Sequence, residues 1–201
     1  MTVTLIDYGA GNVTSVWRAL RRLGAKVECA DRPEEIVAAS CLVLPGVGHC
    51  GALISSLDAR GLREPLLEAI SRGTPFLGIC LGLQALYDSS DEAPRFAGLG
   101  LLKGRVTQLP PHVKLPHMGW NQLLVLRASR LLDGISPEAY FYFAHSYAAP
   151  AGGCETAATC EHGREFTAVL ENKSAFGVQF HPEKSGAPGA KLLENFLRLA
   201  V

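Results

Sequence analysis

The sequence predicts an α/β fold: one domain over residues 1–201, with a central mostly parallel sheet flanked by helices and additional antiparallel strands in its C-terminal half. Three observations predict it. Residues 3–44 alternate short apolar runs with segments of helical period, the pattern of parallel strands joined by crossover helices. The stretch Pro75-Phe76-Leu77-Gly78-Ile79 reads as a strand buried on both faces. From Leu101 onward, short strand candidates follow one another across brief turns, which suits antiparallel pairing.

Taken in order, residues 3–7 form the first strand, and Tyr8-Gly9-Ala10-Gly11-Asn12 suits a tight turn ending in a helix cap. Val13, Val16, Trp17, Leu20 and Leu23 recur at helical spacing, and Gly24 stands where a left-handed C-cap is wanted. Residues 26–30 give a second strand, 33–39 a short helix and 41–44 a third strand. Beyond Pro45-Gly46-Val47-Gly48, helical segments run to Arg72; the strand 75–79 then ends at Cys80, and 81–87 reads as helical. Strands are expected over 101–108, 117–126, 140–144, 155–160, 166–170 and 175–180. An amphipathic helix over 190–199, with Leu192, Leu193, Phe196 and Leu197 along one side, closes the chain. There is no internal repeat and no linker.

Composition narrows the function. Lysine plus arginine and aspartate plus glutamate number 19 each, so no excess charge draws nucleic acid or an anionic membrane. Asp7 interrupts the first apolar run before a signal sequence could form, and no run approaches a membrane span, so a cytoplasmic protein is expected. The six cysteines contain no C-x-x-C pair and are expected as free thiols; neither a metal nor a cofactor is called for.

Gly78-Ile79-Cys80-Leu81-Gly82 has the form G-x-C-x-G between an apolar strand and a helical run, a nucleophile elbow with sulfur in place of oxygen. Glycines on either side let backbones approach while the central side chain projects. The helix start favours a thiolate, but an exposed helix terminus contributes only about 0.3–1 kcal/mol. That is under one pKa unit at roughly 1.4 kcal/mol per unit, and a free cysteine is mostly protonated at neutral pH. A second activating group is therefore expected. Cys29, Cys41, Cys154 and Cys160 read as small buried core residues.

That group is His181. In Ala175-Phe176-Gly177-Val178-Gln179-Phe180-His181-Pro182-Glu183, large apolar residues at 176, 178 and 180 mark a strand with one buried face. Pro182 cannot donate to a ladder and stops it, which presents His181 at a strand end as Cys80 is presented. Glu183 can reach back to the second ring nitrogen and fix its tautomer. His49, His112 and His162 are read as non-catalytic. An amide cleaved through a thioester needs oxyanion donors, for which the Leu81 N–H and the loop Gly46-Val47-Gly48 are the candidates.

With these motifs assembled, Gly78 to Gln84, Pro45-Gly46-Val47-Gly48 and Phe180-His181-Pro182-Glu183 resemble the class I, or triad, glutamine amidotransferases. More narrowly, Asp7-Tyr8-Gly9-Ala10-Gly11-Asn12, Pro116-His117-Met118-Gly119-Trp120-Asn121, His145-Ser146-Tyr147 and His181-Pro182-Glu183-Lys184-Ser185 look like the glutaminase subunits of imidazole glycerol phosphate synthases, in histidine biosynthesis. The resemblance implies that Cys80 attacks the glutamine carboxamide, that His181 protonates departing ammonia and then activates water, and that Glu183 orients His181. It implies glutamine contacts at Gly48, Gln84, Glu92, Ser146 and Tyr147. It also implies a heterodimer with a (β/α)8 cyclase subunit that receives the ammonia, with Trp120, Asn121, Tyr142 and Lys184 at the contact and tunnel mouth. Cys50 stands where the family usually places an aromatic, and Leu83 where methionine is more common.

Three rivals stay open on the residues alone. One is the glutaminase of another synthase (anthranilate, carbamoyl phosphate or pyridoxal phosphate), against which residues 116–121 speak. A second is a cysteine amidase or peptidase. The third is a nucleotide-binding module, suggested by Gly9-Ala10-Gly11, but Thr14 occupies the position where G-x-G-x-x-G needs its last glycine.

Overall fold

The strongest apolar alternation in the chain becomes the middle of its largest sheet. In the computed structural model, which describes residues 1–9 and 12–200, the elements follow in order as β1 (Thr2–Ile6), α1 (Val13–Arg22), β2 (Lys26–Ala30), α2 (Pro33–Ala38), β3 (Leu42–Gly46), α3 (Cys50–Ala59), α4 (Arg63–Ser71) and β4 (Phe76–Cys80). Then come α5 (Leu81–Gln84), β5 (Tyr87–Ser90), β6 (Leu102–Gln108), β7 (His117–Gln122), β8 (Leu124–Val125), β9 (Tyr140–His145) and β10 (Tyr147–Ala148). The chain finishes with β11 (Thr156–Glu161), β12 (Glu165–Asn172), β13 (Ala175–Val178), a 3-10 turn (Pro182–Lys184) and α6 (Gly186–Leu199). Ala10 and Gly11, part of the expected capping turn, lie outside the described residues.

Eight strands form one sheet in the order β2-β1-β3-β4-β13-β12-β11-β8. The pairs from β2 to β13 are parallel, and those from β13 to β8 antiparallel. This is the mixed sheet expected from the change of pattern near residue 101. Alternate residues feed opposite faces: Leu5, Val43, Leu77 and Val178 pack with Val16, Leu20, Leu192 and Phe196 of α1 and α6. On the other face Ile6, Leu42, Leu44 and Phe76 pack with Ile36, Leu53, Leu57 and Leu66 of α2, α3 and α4. Each such side chain contributes about 1.5–3 kcal/mol on burial. Gly24 adopts φ +85° and donates to the Arg21 carbonyl at 3.0 Å, closing α1 as expected.

Three expectations change. The helix expected over 81–87 stops at Gln84, because the Ala85 and Leu86 carbonyls accept from Leu99 and Leu102; Tyr87 enters β5, which pairs with β6. The single strand expected over 117–126 is two: Leu123 turns into the core, so β7 pairs with β9 in a separate two-stranded sheet while β8 joins β11 at the edge of the large one. The last helix starts four residues before position 190, with Pro188 in its first turn where a missing N–H costs nothing. Among the described residues, no helix is long and apolar enough to cross a membrane.

Candidate active site

β4 delivers Cys80 to the C-terminal edge of the sheet, where its backbone takes φ 54° and ψ −107°. L residues rarely adopt this conformation, and holding one there costs of order 1–3 kcal/mol. The neighbours over-determine it: β3 and β13 flank β4 in parallel register, Gly46 opposite Cys80 and Val178 opposite Ile79. The glycines around the cysteine are required by close approach. A Cβ on Gly78 would stand 2.5 Å from the Gly82 carbonyl oxygen, and one on Gly82 would collide with the Leu44 carbonyl. At four residues α5 is too short for a full helix dipole, so the charge of a thiolate must be supported mainly by side chains.

His181 enters from the neighbouring strand, three residues past the end of β13. Its backbone is clamped: its N–H donates to the Tyr142 carbonyl at 2.8 Å, and Ser185 Oγ donates to its carbonyl at 2.6 Å while accepting from Tyr142 N–H at 3.0 Å. His181 Nδ1 meets Glu183 Oε1 at 3.0 Å, and Asn12 Nδ2 donates to the same oxygen at 3.2 Å. Burial works against the imidazolium, but the neighbouring Cys80 sulfur and the Glu183 carboxylate push its pKa up to about 10. Cysteine, imidazole and carboxylate thus lie next to one another, with the carboxylate on the Nδ1 side of the ring. Glu183 Oε2 is buried with no partner among the described residues.

Beside the sulfur lies a cavity of about 80 Å³. Its walls come from the loop after β3 (Val47, Gly48), the start of α5 (Leu81, Gln84), Glu92, and the segment Ser146-Tyr147. Gly48 takes φ +91°, which lets the loop bend over the sulfur. Gly46, expected in the oxyanion loop, sits instead behind it as the last residue of β3, against Leu81 and Gly82, and does not line the cavity. Glu92 Oε2 accepts from Cys50 N–H at 2.7 Å, satisfying one of the free amides at the start of α3 and fixing where the loop ends. The Cys50 side chain is itself buried, as are Cys41 and Cys160, whereas Cys29 and Cys154, expected in the core, are exposed, the first on the edge strand β2 and the second in a turn. A larger cleft of about 350 Å³ beside α6, lined by Arg130, Asp133, Asn195 and Arg198, holds no nucleophile or base pair.

Trp120 and Tyr142 face one another across the β7–β9 sheet with ring centroids 5.9 Å apart, and Lys184 Nζ lies 5.7 Å from the Tyr142 ring centre. Asn121 points the other way, donating to the Glu161 carbonyl at 3.0 Å and meeting His117 Nε2 at 3.3 Å. It therefore does not share the exposed face with the other three. His117 and His145 are in contact at 3.1 Å, and burial lowers their pKa to about 4 and about 3, so both are neutral. Among the described residues no group of three or more His, Cys, Asp or Glu is arranged to hold a metal ion.

Four residues at the site were not singled out from the sequence: Asn12 and Ser185, which brace the His181–Glu183 pair, His145 on the cavity wall, and Gln179. The last carried a legible signal, since it shares strand parity with His181 and is a polar residue between two large apolar ones. The structure buries it fully, with Nε2 3.5 Å from the Cys80 sulfur.

Residues 4–200 match the family model for glutamine amidotransferase class-I. The imidazole glycerol phosphate synthase subunit HisH of Methanothermobacter thermautotrophicus is 47% identical over 197 residues, 98% of each chain. That of Moorella thermoacetica is 47% identical over 195 residues, 96% of this chain and 93% of the relative. Among solved structures, a glutamine amidotransferase superposes with TM-score 0.79 at 20% identity, covering 98% of both chains. PurLQS from Thermotoga maritima superposes with TM-score 0.76 at 21% identity over the same shares; these two likenesses speak for the fold. Matched from residue 4 to residue 200, and nearly half identical to relatives along their length, the chain belongs to the class-I glutamine amidotransferases.

Proposed function

We propose that this chain is the glutaminase subunit of an imidazole glycerol phosphate synthase: it hydrolyses glutamine to glutamate and ammonia through a thioester on Cys80 and passes the ammonia to a (β/α)8 cyclase subunit. The observation that carries the chemistry is Cys80 on its strained elbow, beside an imidazole whose pKa it raises and whose Nδ1 is held by a buried carboxylate. The pathway rests on the relatives, named as subunits of imidazole glycerol phosphate synthase at 40–47% identity. On this reading residues 1–201 form one amidotransferase domain, working in the cytoplasm.

His181 takes the thiol proton, and the sulfur attacks the carboxamide carbon. The resulting oxyanion is received by the Leu81 N–H and the Val47–Gly48 loop, each donor typically worth about 2.7–4 kcal/mol. Collapse breaks the C–N bond as the imidazolium protonates the leaving amine, giving ammonia and the thioester. His181 then deprotonates water, which attacks the thioester; the C–S bond breaks, glutamate leaves, and the proton returns to the thiolate through His181. Gln84, Glu92, Ser146 and Tyr147 are proposed to hold the amino-acid end of glutamine, and Trp120, Asn121, Tyr142 and Lys184 to lie at the partner contact. For Asn121 the role is indirect, given its inward turn.

The test is to mix the chain with cyclase, anthranilate, carbamoyl phosphate and pyridoxal phosphate synthase subunits and measure glutamine-dependent turnover. Stimulation by the cyclase alone, lost in Cys80→Ala, is expected; stimulation by another synthase in its place overturns the assignment.

A further inference from the structure

We infer that Gln179 belongs to the reacting apparatus: its side-chain amide donates a hydrogen bond to the Cys80 sulfur and favours the thiolate, and Gln84 is the positioning residue that aims it. This rests on the reading of Cys80 as nucleophile.

The direction of the amide is fixed by a group that cannot be reversed. The Tyr147 carbonyl only accepts, so the Gln84 atom 2.7 Å from it is the Nε2 donor. The second hydrogen of that nitrogen reaches Gln179 at 3.0 Å, and the atom it meets must accept, hence Oε1. The remaining end of Gln179 is then Nε2, and it stands 3.5 Å from the Cys80 sulfur. Flipping either amide would set donor against donor or carbonyl against carbonyl, in a place where Gln84 is nearly and Gln179 fully buried. The backbone is held as well, since Gln179 N–H donates to the Ala168 carbonyl at 3.0 Å.

The choice of acceptor is the telling feature. A buried amide hydrogen requires a good acceptor, and a protonated thiol is a weak one. Directed at a thiolate, the same hydrogen becomes a charge-assisted bond, roughly twice as strong as a neutral one. The folded protein therefore leaves Gln179 under-satisfied while the sulfur is protonated and relieves it when the sulfur ionises. His181 supplies the ionic partner and Gln179 a neutral donor. With α5 only four residues long, this amide supplies stabilisation that a full helix dipole would otherwise give.

The experiment follows alkylation of Cys80 by iodoacetamide against pH in the full chain, without glutamine, reading the Cys80 peptide by mass spectrometry so that the other five cysteines do not interfere. Gln179→Met keeps the length of the side chain and removes the donor. Its alkylation midpoint should rise by about one pH unit, with the limiting rate at high pH unchanged. Its kcat for glutamine near neutral pH should fall about tenfold with KM within about twofold. Gln84→Met leaves the Gln179 amide in place but free to turn, and should raise the midpoint by a smaller amount. If Gln179→Met does not fold, Gln84→Met decides. An unmoved midpoint in the variants that fold, with only thermal stability lowered, overturns the inference. Cys80→Ala separates the two readings: glutamine hydrolysis surviving in that variant defeats the nucleophile assignment, whereas the alkylation profile reports on the amide alone.

Discussion

The β4–β13 pair and the β7–β9 pair hold their aromatic and reactive side chains in opposite ways. In the first, both strands lie inside an eight-stranded sheet, every residue is buried, and the backbone takes a positive φ of 54° at Cys80. In the second, two strands pair only with each other; one face covers the core through Phe141 and Phe143, and the other leaves Met118, Trp120 and Tyr140 more than half exposed. Side chains that water disfavours this much are a cost unless something covers them. The contrast teaches that Cys80, His181 and Glu183 are buried within the chain, while the β7–β9 face leaves large apolar side chains uncovered. The two are joined through Tyr142, whose ring lies on that face and whose backbone clamps His181 and Ser185.

The largest effect should come from the buried pair. His181→Asn keeps a donor near Glu183 but removes the base, and glutamine hydrolysis should fall by about 10³-fold or more, measured as glutamate release. A variant keeping a tenth of the activity would show that Cys80 is activated elsewhere. Next, Gly82→Ala forces a methyl against the Leu44 carbonyl and should cost about 2–3 kcal/mol of stability in urea unfolding. An unchanged midpoint would mean that the elbow can relax, and the comparison with the looser sheet would weaken. Trp120→Ala should leave the stability of the isolated chain within about 0.5 kcal/mol, as for other exposed positions, while weakening cyclase binding by about thirtyfold, checked by calorimetric titration. Equal affinity with and without the indole would remove the β7–β9 face from the interface.

A further effect is one of pH. His181 in the folded chain keeps its proton up to about pH 10, against about 6.5 for an ordinary histidine. Because the folded value is the higher one, its stabilisation is fully present below pH about 6.5 and is lost as pH rises through about 10. Thermal stability should therefore decline across that window, and His181→Asn should flatten the decline. A wild-type curve that is level from pH 6.5 to 10 would contradict the charged pair.

The parallel core was legible because its signals are local: apolar alternation, Gly24 at a helix end, glycines flanking Cys80, Pro182 stopping a strand. The elbow and the His181–Glu183 pair lay within short motifs, so their chemistry could be read residue by residue. The end of α5 could not, since it depends on amides from residues 99 and 102 taking carbonyls that a longer helix would need. The division of β7 from β8 escaped for a similar reason: an unbroken apolar run from Leu123 to Leu126 follows β7 directly, and only the distant partners β9 and β11 separate the two strands.

Sequence alone therefore determined the order of strands and helices as far as Cys80 and the short motifs that carry Cys80, His181 and Glu183, because each follows from residue type and near-neighbour spacing. Tertiary structure decided that Gly46 packs against Leu81 and Gly82, that Asn121 turns inward, and that Gln179 reaches the sulfur by way of Gln84 and the Tyr147 carbonyl. Those outcomes hang on contacts between segments 35 to 99 residues apart. A hydrogen bond's direction is set by whichever partner cannot reverse its role, and that partner is known only once the chain has folded.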